Sequence, residues 1–252
     1  MFSPAEINIA LHQIWNREVT RLNLPVWVYL KFGRQFSHGV GEGFGSVVGP
    51  KYNKTDYESI KLLKSNVYLF SGAKTFNFVY DCENLLVEGN KILPFEVFKE
   101  RAQSVGVSYC DTWLKTEYDT CIIQSKNCRD ELSLIKNKEF FPMAKYVAFM
   151  DANTAEVCKQ MNGYVGLIDD PIWKQHSPQQ HYRCRCHKEP LMEGEAVLSK
   201  RPASLNAPNP LFAHNIGETK DIFNKHHPYF AEIPKEYRSF AKQNFNLPIP
   251  KL

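Results

Sequence analysis

Nowhere in the 252 residues does an apolar run approach the roughly 20 positions needed to cross a bilayer. The opening residues, MFSPAEINIALHQIW, offer neither a basic start nor a continuous apolar core, so no secretory signal is expected. Charge of one sign is also scarce. The 31 basic and 27 acidic residues leave +4, too little to announce a nucleic-acid binder, although a local patch could still meet DNA. Familiar catalytic signatures are missing as well. There is no Gly-x-Ser-x-Gly, no His-Glu-x-x-His and no Gly-Lys-Ser/Thr, which argues against serine hydrolase, zincin and P-loop chemistry. Glu117 and Asp119 stand two apart on an expected helix, so they do not share a face and do not make a catalytic carboxylate pair. No internal repeat is visible.

What is present is the balance of a soluble globular chain, 43% apolar and 23% charged. Seventeen Phe, twelve Tyr and four Trp can bury large area. The expected fold class is α+β, mainly α. A helical body over roughly 1–141 precedes a small irregular α+β lobe over 142–200, and an extended C-terminal arm follows. Ser3, Pro4 and Glu6 read as a helix start, with an apolar stripe Ile7, Leu11, Ile14, Trp15 and Leu22 carrying the helix over 3–23. Further helices are expected after Pro25, over 56–88 as one or two, over Pro94–Ala102 and over Asp111–Asp130. Cys121 faces inward on the last of these as a small core residue. Ser37–Pro50 holds five glycines and reads as a flexible or close-packed connection, because the strand and βαβ unit of a dinucleotide loop are lacking around it. Tyr146–Met150 and Tyr164–Ile168 are strand-like. Seven prolines from Pro202 to Pro250 suggest an arm wrapping over a body, or a tail. The expected division is 1–55 as a helical segment with the Gly-rich connection, 56–200 as the main domain, and 201–252 as the Pro-rich arm.

The chemistry-bearing cluster is Cys158 followed by His181-Tyr-Arg-Cys184-Arg-Cys186. Cysteines two apart on an extended strand point to one face, so both thiolates could reach one ion. His181 lies three before Cys184, a spacing a tight turn closes, and Asn162-Gly163 offers a turn that returns the chain from Cys158. Four N/S ligands of this kind suit a closed, structural zinc site. Spacing alone leaves two alternatives open: a Cys158–Cys184 disulfide, and unconnected thiols beside a solvent-facing histidine. His176 and His187 are reserve ligands. Arg183 and Arg185 alternate with the cysteines and should face away from an ion, free to grip a carboxylate, a partner protein or DNA phosphate, or only to offset thiolate charge. His226-His227-Pro228-Tyr229 reads as a structural turn rather than a second metal site.

Five stretches, in order, resemble the bacteriophage Mu protein F-like minor head, or head morphogenesis, family. They are Asn66–Thr75 (NVYLFSGAKT), Trp113–Thr120 (WLKTEYDT), Cys158–Gly163 (CKQMNG), Asp169-Asp170-Pro171 with Trp173, and His181–Cys186 against the family's His-Pro-Asn-Cys-Arg-Cys ending. Phe212–Gly217 and His227-Pro228-Tyr229 are similar to a tail found in some members. The resemblance covers about residues 30–230. Ala155 stands where some members carry another Cys, which bears on the fourth ligand; Tyr182-Arg183 replaces Pro-Asn. The resemblance implies that 56–200 is a Mu F-like domain. It implies a minor capsid protein acting in head assembly and maturation near the portal vertex, in the virion head and, during assembly, in the host cytoplasm. Portal, capsid or scaffold proteins would be its partners, with DNA contact in some cases and no membrane. No catalytic or organic-cofactor site is expected. The alternative is a metal-dependent, nuclease-like hydrolase using the Cys/His site, with Asp169, Asp170 or His187 as base.

Overall fold

In the computed structural model, which describes residues 1–45, 52–202 and 204–251, the first helix begins as the sequence dictates. Ser3 caps α1 (Pro4–Trp15): its hydroxyl accepts from Glu6 N–H while the Glu6 carboxylate accepts from Ser3 N–H. Ile7, Ala10, Leu11 and Ile14 are buried. The helix ends earlier than the stripe suggests. Asn16 turns the chain by accepting from Glu18 N–H, Arg17 takes φ +66°, and Leu22 is 65% exposed. A single apolar residue at the right spacing does not hold a helix that has no face left to bury.

Next come α2 (Val26–Phe44) and α3 (Lys54–Asn84), the latter one helix of 31 residues. A β1–β2 hairpin (Val87–Glu88, Lys91–Ile92) leads to α4 (Phe95–Val107), and a π-helical turn at Ser108–Thr112 joins α4 to α5 (Trp113–Lys136). Much of the Gly-rich segment is therefore helix and not a connection, since α2 runs through Gly39, Gly41 and Gly43; Gly45 follows it at φ +98°, and 46–50, with Gly49, lie outside the described residues. Gly43 is needed for close packing: a Cβ there would sit 2.0 Å from the Ile122 carbonyl oxygen.

The chain clusters into two compact units. One comprises Met1–Gly39, Lys64–Asp119 and His227–Leu252. It is an aromatic-rich helical unit centred on a buried ion pair. Lys74 Nζ lies 2.8 Å from Glu117 Oε2, with Lys74 fully buried and about 5 Å from the ring centroids of Phe32, Tyr109 and Tyr229. Its C-terminal stretch holds α9 (Pro228–Ala231) and α10 (Arg238–Lys242). Phe245 stacks on Phe76, and Tyr29 donates to the Pro248 carbonyl. His227 begins α9 by accepting from Tyr229 N–H, the structural turn expected there.

The other unit comprises Val40–Leu63 and Thr120–His226. Here β3 (Met143–Val147) is the centre of a three-stranded antiparallel sheet, between β4 (Val165–Leu167) and β5 (His187–Leu191). β3 starts earlier than the YVAFM run, with Ala144 and Tyr146 on its buried face and Ala148 buried just beyond its end. Between β3 and β4 lies α6 (Glu156–Met161), and after β4 the short α7 (Trp173–His176). A buried pair fastens β5 to α5: Lys188 Nζ lies 2.5 Å from Glu131 Oε1, and Asn215 of the arm donates to the same carboxylate just before α8 (Ile216–Thr219). The fold is thus α+β and mainly α, with a small sheet lobe. Among the described residues no helix is long and apolar enough to cross a membrane.

Candidate metal centre

Three features bring Cys158 to the cluster. Ala155 caps α6 in an extended conformation, Val157, Cys158 and Met161 form its buried face, and Gly163 at φ +82° turns the chain back into β4. The other ligand candidates come from the loop before β5. Pairing of Val147 with His187 lays that loop beside β3. Cys184 and Cys186 point inward, at 2% and 7% exposure, while Arg183 and Arg185 are exposed. The alternation expected of an extended segment is present although this stretch pairs with no strand, and Arg183 takes φ +59°.

The ligand atoms of Cys158, His181 and Cys184 all lie within 4.8 Å of one another, and these three residues could hold a metal ion. The sulfurs of Cys158 and Cys184 are 3.8 Å apart, so no disulfide joins them. Cys186 is buried beside them, and its thiol hydrogen-bonds with both. His181 Nδ1 lies 2.7 Å from the Tyr182 carbonyl. A carbonyl only accepts, so Nδ1 carries a proton; Nε2 is left to donate to Cys184 when the ring is charged and to ligate an ion when it is neutral, the usual arrangement of a ligating histidine.

Negative charge concentrates on Cys184. Its thiol is held well below the usual range by hydrogen bonds from Cys158 and Cys186, with a further one from His181, against the cost of burial. The bond to Cys184 raises the His181 pKa in turn. Cys158, as donor to Cys184 and Cys186, is pushed far up. For Cys186 the bond with Cys158 pulls down, but Cys184 and burial outweigh it and leave the thiol at about 11. A thiolate held by donors beside two further sulfurs is a charge pattern that a bound cation would relieve.

The remaining candidates lie elsewhere. Asp169 pairs with Lys138 at 3.0 Å. Asp170 accepts from Tyr164 O–H, Ile172 N–H and Arg201, which makes it a turn-forming group. His187 is exposed at the start of β5, and His176 is buried against Gln180. Arg185 grips a carboxylate, that of Asp151 at 2.7 Å, and lies over the Phe149 ring at 4.3 Å. A cavity of about 540 Å³ is bordered by His181, Arg183, Arg185 and Cys186, so solvent reaches the edge of the cluster. Sequence reasoning missed the buried polar residues behind Cys158. Tyr146 sits in an ordinary strand pattern and nothing in that pattern singles out its hydroxyl.

The four cysteine and histidine candidates lie on the stretch from the end of α4 to β5. Residues 100–189 match the family described as Phage Mu protein F like protein. This stretch is Mu F-like. The matched stretch takes in α5, the whole three-stranded sheet up to Glu189 and all four metal-ligand candidates. No curated protein and no solved structure matches the chain.

Proposed function

We propose that this chain is a phage minor head protein of the Mu F-like family that acts in head assembly and maturation near the portal vertex, and that its small lobe is held by one structural zinc ion. The single observation that carries the reading is the family match over 100–189, which includes the Cys/His cluster. The partners are portal, capsid or scaffold proteins, with packaged DNA a further contact, and the place of action is the virion head.

The donor set fits zinc. Sulfur and imidazole ligands favour it, and two thiolates on one tetrahedral zinc at about 2.3 Å stand roughly 3.8 Å apart; Cys158 and Cys184 are separated by 3.8 Å. Cys158, His181, Cys184 and Cys186 would hold the ion, which supplies a cross-link between α6 and the loop before β5. The hydrolase alternative needs an open position and a base. Its candidate carboxylates, Asp169 and Asp170, are engaged with Lys138 and with Tyr164 and Arg201. That favours the structural reading.

Two measurements test it. Metal analysis of the purified full chain should find one zinc per chain, lost in Cys184→Ser. In a phage or prophage encoding the chain, deletion should leave heads that fail to mature or infect, and the protein should be found in purified heads in few copies. Metal-dependent DNA turnover by the pure protein, abolished in Asp170→Ala, would replace this reading with the hydrolase.

A further inference from the structure

Four buried side chains form a one-way hydrogen-bond chain that ends on Cys158. His176 Nδ1 lies 3.2 Å from Gln180 Oε1, Gln180 Nε2 donates to the Tyr146 hydroxyl at 2.9 Å, and that hydroxyl donates to Cys158 Sγ at 3.6 Å. The amide orientation is set by a second neighbour: Gln180 Nε2 is also 3.5 Å from the His176 carbonyl, which only accepts. An amide oxygen accepts too, so His176 carries its proton on Nδ1, and burial holds its pKa down and the ring neutral. Every donor then points toward sulfur, and the aligned dipoles reinforce one another.

The burial makes this consequential. Tyr146, Gln180 and Cys158 are 0% exposed. A thiolate shut away from water needs donors as well as an ion, because an unsolvated charge is costly. Tyr146 also comes within hydrogen-bonding reach of Cys186.

We propose that Tyr146, oriented by Gln180 and His176, is the positioning residue of the metal centre: its hydroxyl tempers the charge on the Cys158 thiolate and so sets how tightly and how covalently the ion is held. The inference rests on the metal reading above. Hydrogen bonds to a thiolate lower the energy of its lone pairs. Removing one should move a thiolate-to-metal charge-transfer band to longer wavelength and weaken the ion by about tenfold or more.

The test is a cobalt(II) titration of the full metal-stripped chain, read by thiolate charge-transfer absorption and by chelator competition, with helical circular dichroism as the fold control. Tyr146→Phe should keep the helical signal, shift the band to longer wavelength and lose about tenfold in affinity. Gln180→Glu keeps the hydroxyl but gives it a carboxylate acceptor, so it should draw the donor off sulfur and reproduce the same band shift. If Gln180→Glu does not fold, the near-isosteric Tyr146→Phe decides. A band and affinity unchanged in Tyr146→Phe would overturn the proposal and leave the metal site standing. Absence of any band in the wild-type chain would overturn both.

Discussion

Cys158 and Cys184, 26 residues apart in the chain, place their sulfurs 3.8 Å apart in the interior of the small sheet lobe. Cys158 is fixed by the buried face of α6, and Cys184 by the loop that enters β5. An ion between them would tie two segments that the β3 hydrogen bonds already bring close, so binding free energy becomes folding free energy.

Chelation should therefore soften the lobe around β3, β4 and β5. The expected loss is about 3 kcal/mol or more, or roughly 6–12 °C in Tm. Cys184→Ser should give the same loss, and reductant alone should give none. Hydrogen exchange should quicken in 143–191, while the unit holding α1 and Lys74 stays protected. A chain weakened by reductant and indifferent to chelator would instead contain a disulfide.

A second prediction concerns Gly41 and Gly43, two residues apart on α2. A Cβ on Gly43 would strike the Ile122 carbonyl, whereas one on Gly41 has nothing within 4 Å. Gly41→Ala should stabilise by up to about 1 kcal/mol through helix propensity. Gly43→Ala gains the same propensity but must separate α2 from α5, so it should destabilise by about 2 kcal/mol or more. Urea midpoints of the two variants should move in opposite directions, and movement in the same direction would contradict this packing.

The Lys74–Glu117 pair should behave as buried ion pairs do. Lys74→Met leaves a carboxylate without its cation in a fully enclosed site and should cost about 3–5 kcal/mol. Adding Glu117→Leu should restore most of that loss, since the desolvation cost of both charges disappears together. A double-mutant cycle by urea denaturation measures it; additive losses would mean that the two residues are not coupled.

His227 gives the helical unit a specific acid sensitivity. Burial, and then the positive charge of Lys74, hold its pKa down to about 3. The unfolded chain has an ordinary histidine near 6.5. Between those values the unfolded state binds the extra proton, so the stability is fully present above about pH 6.5 and is lost as pH falls toward 3. At pH 5 this loss amounts to about 2 kcal/mol. His227→Asn keeps a cap acceptor for Tyr229 N–H without titrating. Between pH 7 and 5 it should lose about 2 kcal/mol less stability than the wild type. Parallel pH profiles for the two chains would show that His227 does not titrate with folding.

Local signals carried much of the fold. The Ser3-Pro4-Glu6 cap, the stripe on α1 up to Trp15, the turn at Asn162-Gly163 and the alternation of Cys184 and Cys186 with Arg183 and Arg185 all depend on neighbours a few residues away. Such relations are written in spacing, because backbone periodicity fixes which side chains share a face. Leu22 and the glycines of α2 misled the local reading for the same reason. Leu22 has the right spacing without a surface to bury against, and Gly43 looks like a loop residue until Ile122 is seen packed on it.

The sequence by itself determined the candidate ligand types, their order, the mainly helical class and the family to which residues 100–189 are similar. Tertiary structure decided which cysteines meet. Cys82, Cys110, Cys121 and Cys128 are as buried as Cys158, yet only Cys158, His181 and Cys184, among the described residues, bring their ligand atoms together. It also decided that Tyr146, Gln180 and His176 line up behind Cys158, and that Lys74 finds Glu117 at a separation of 43 residues. These partnerships form only when strand pairing and helix packing close the intervening chain. The free energy of a buried polar contact depends on what surrounds it in space, which the spacing of residues along the chain does not encode.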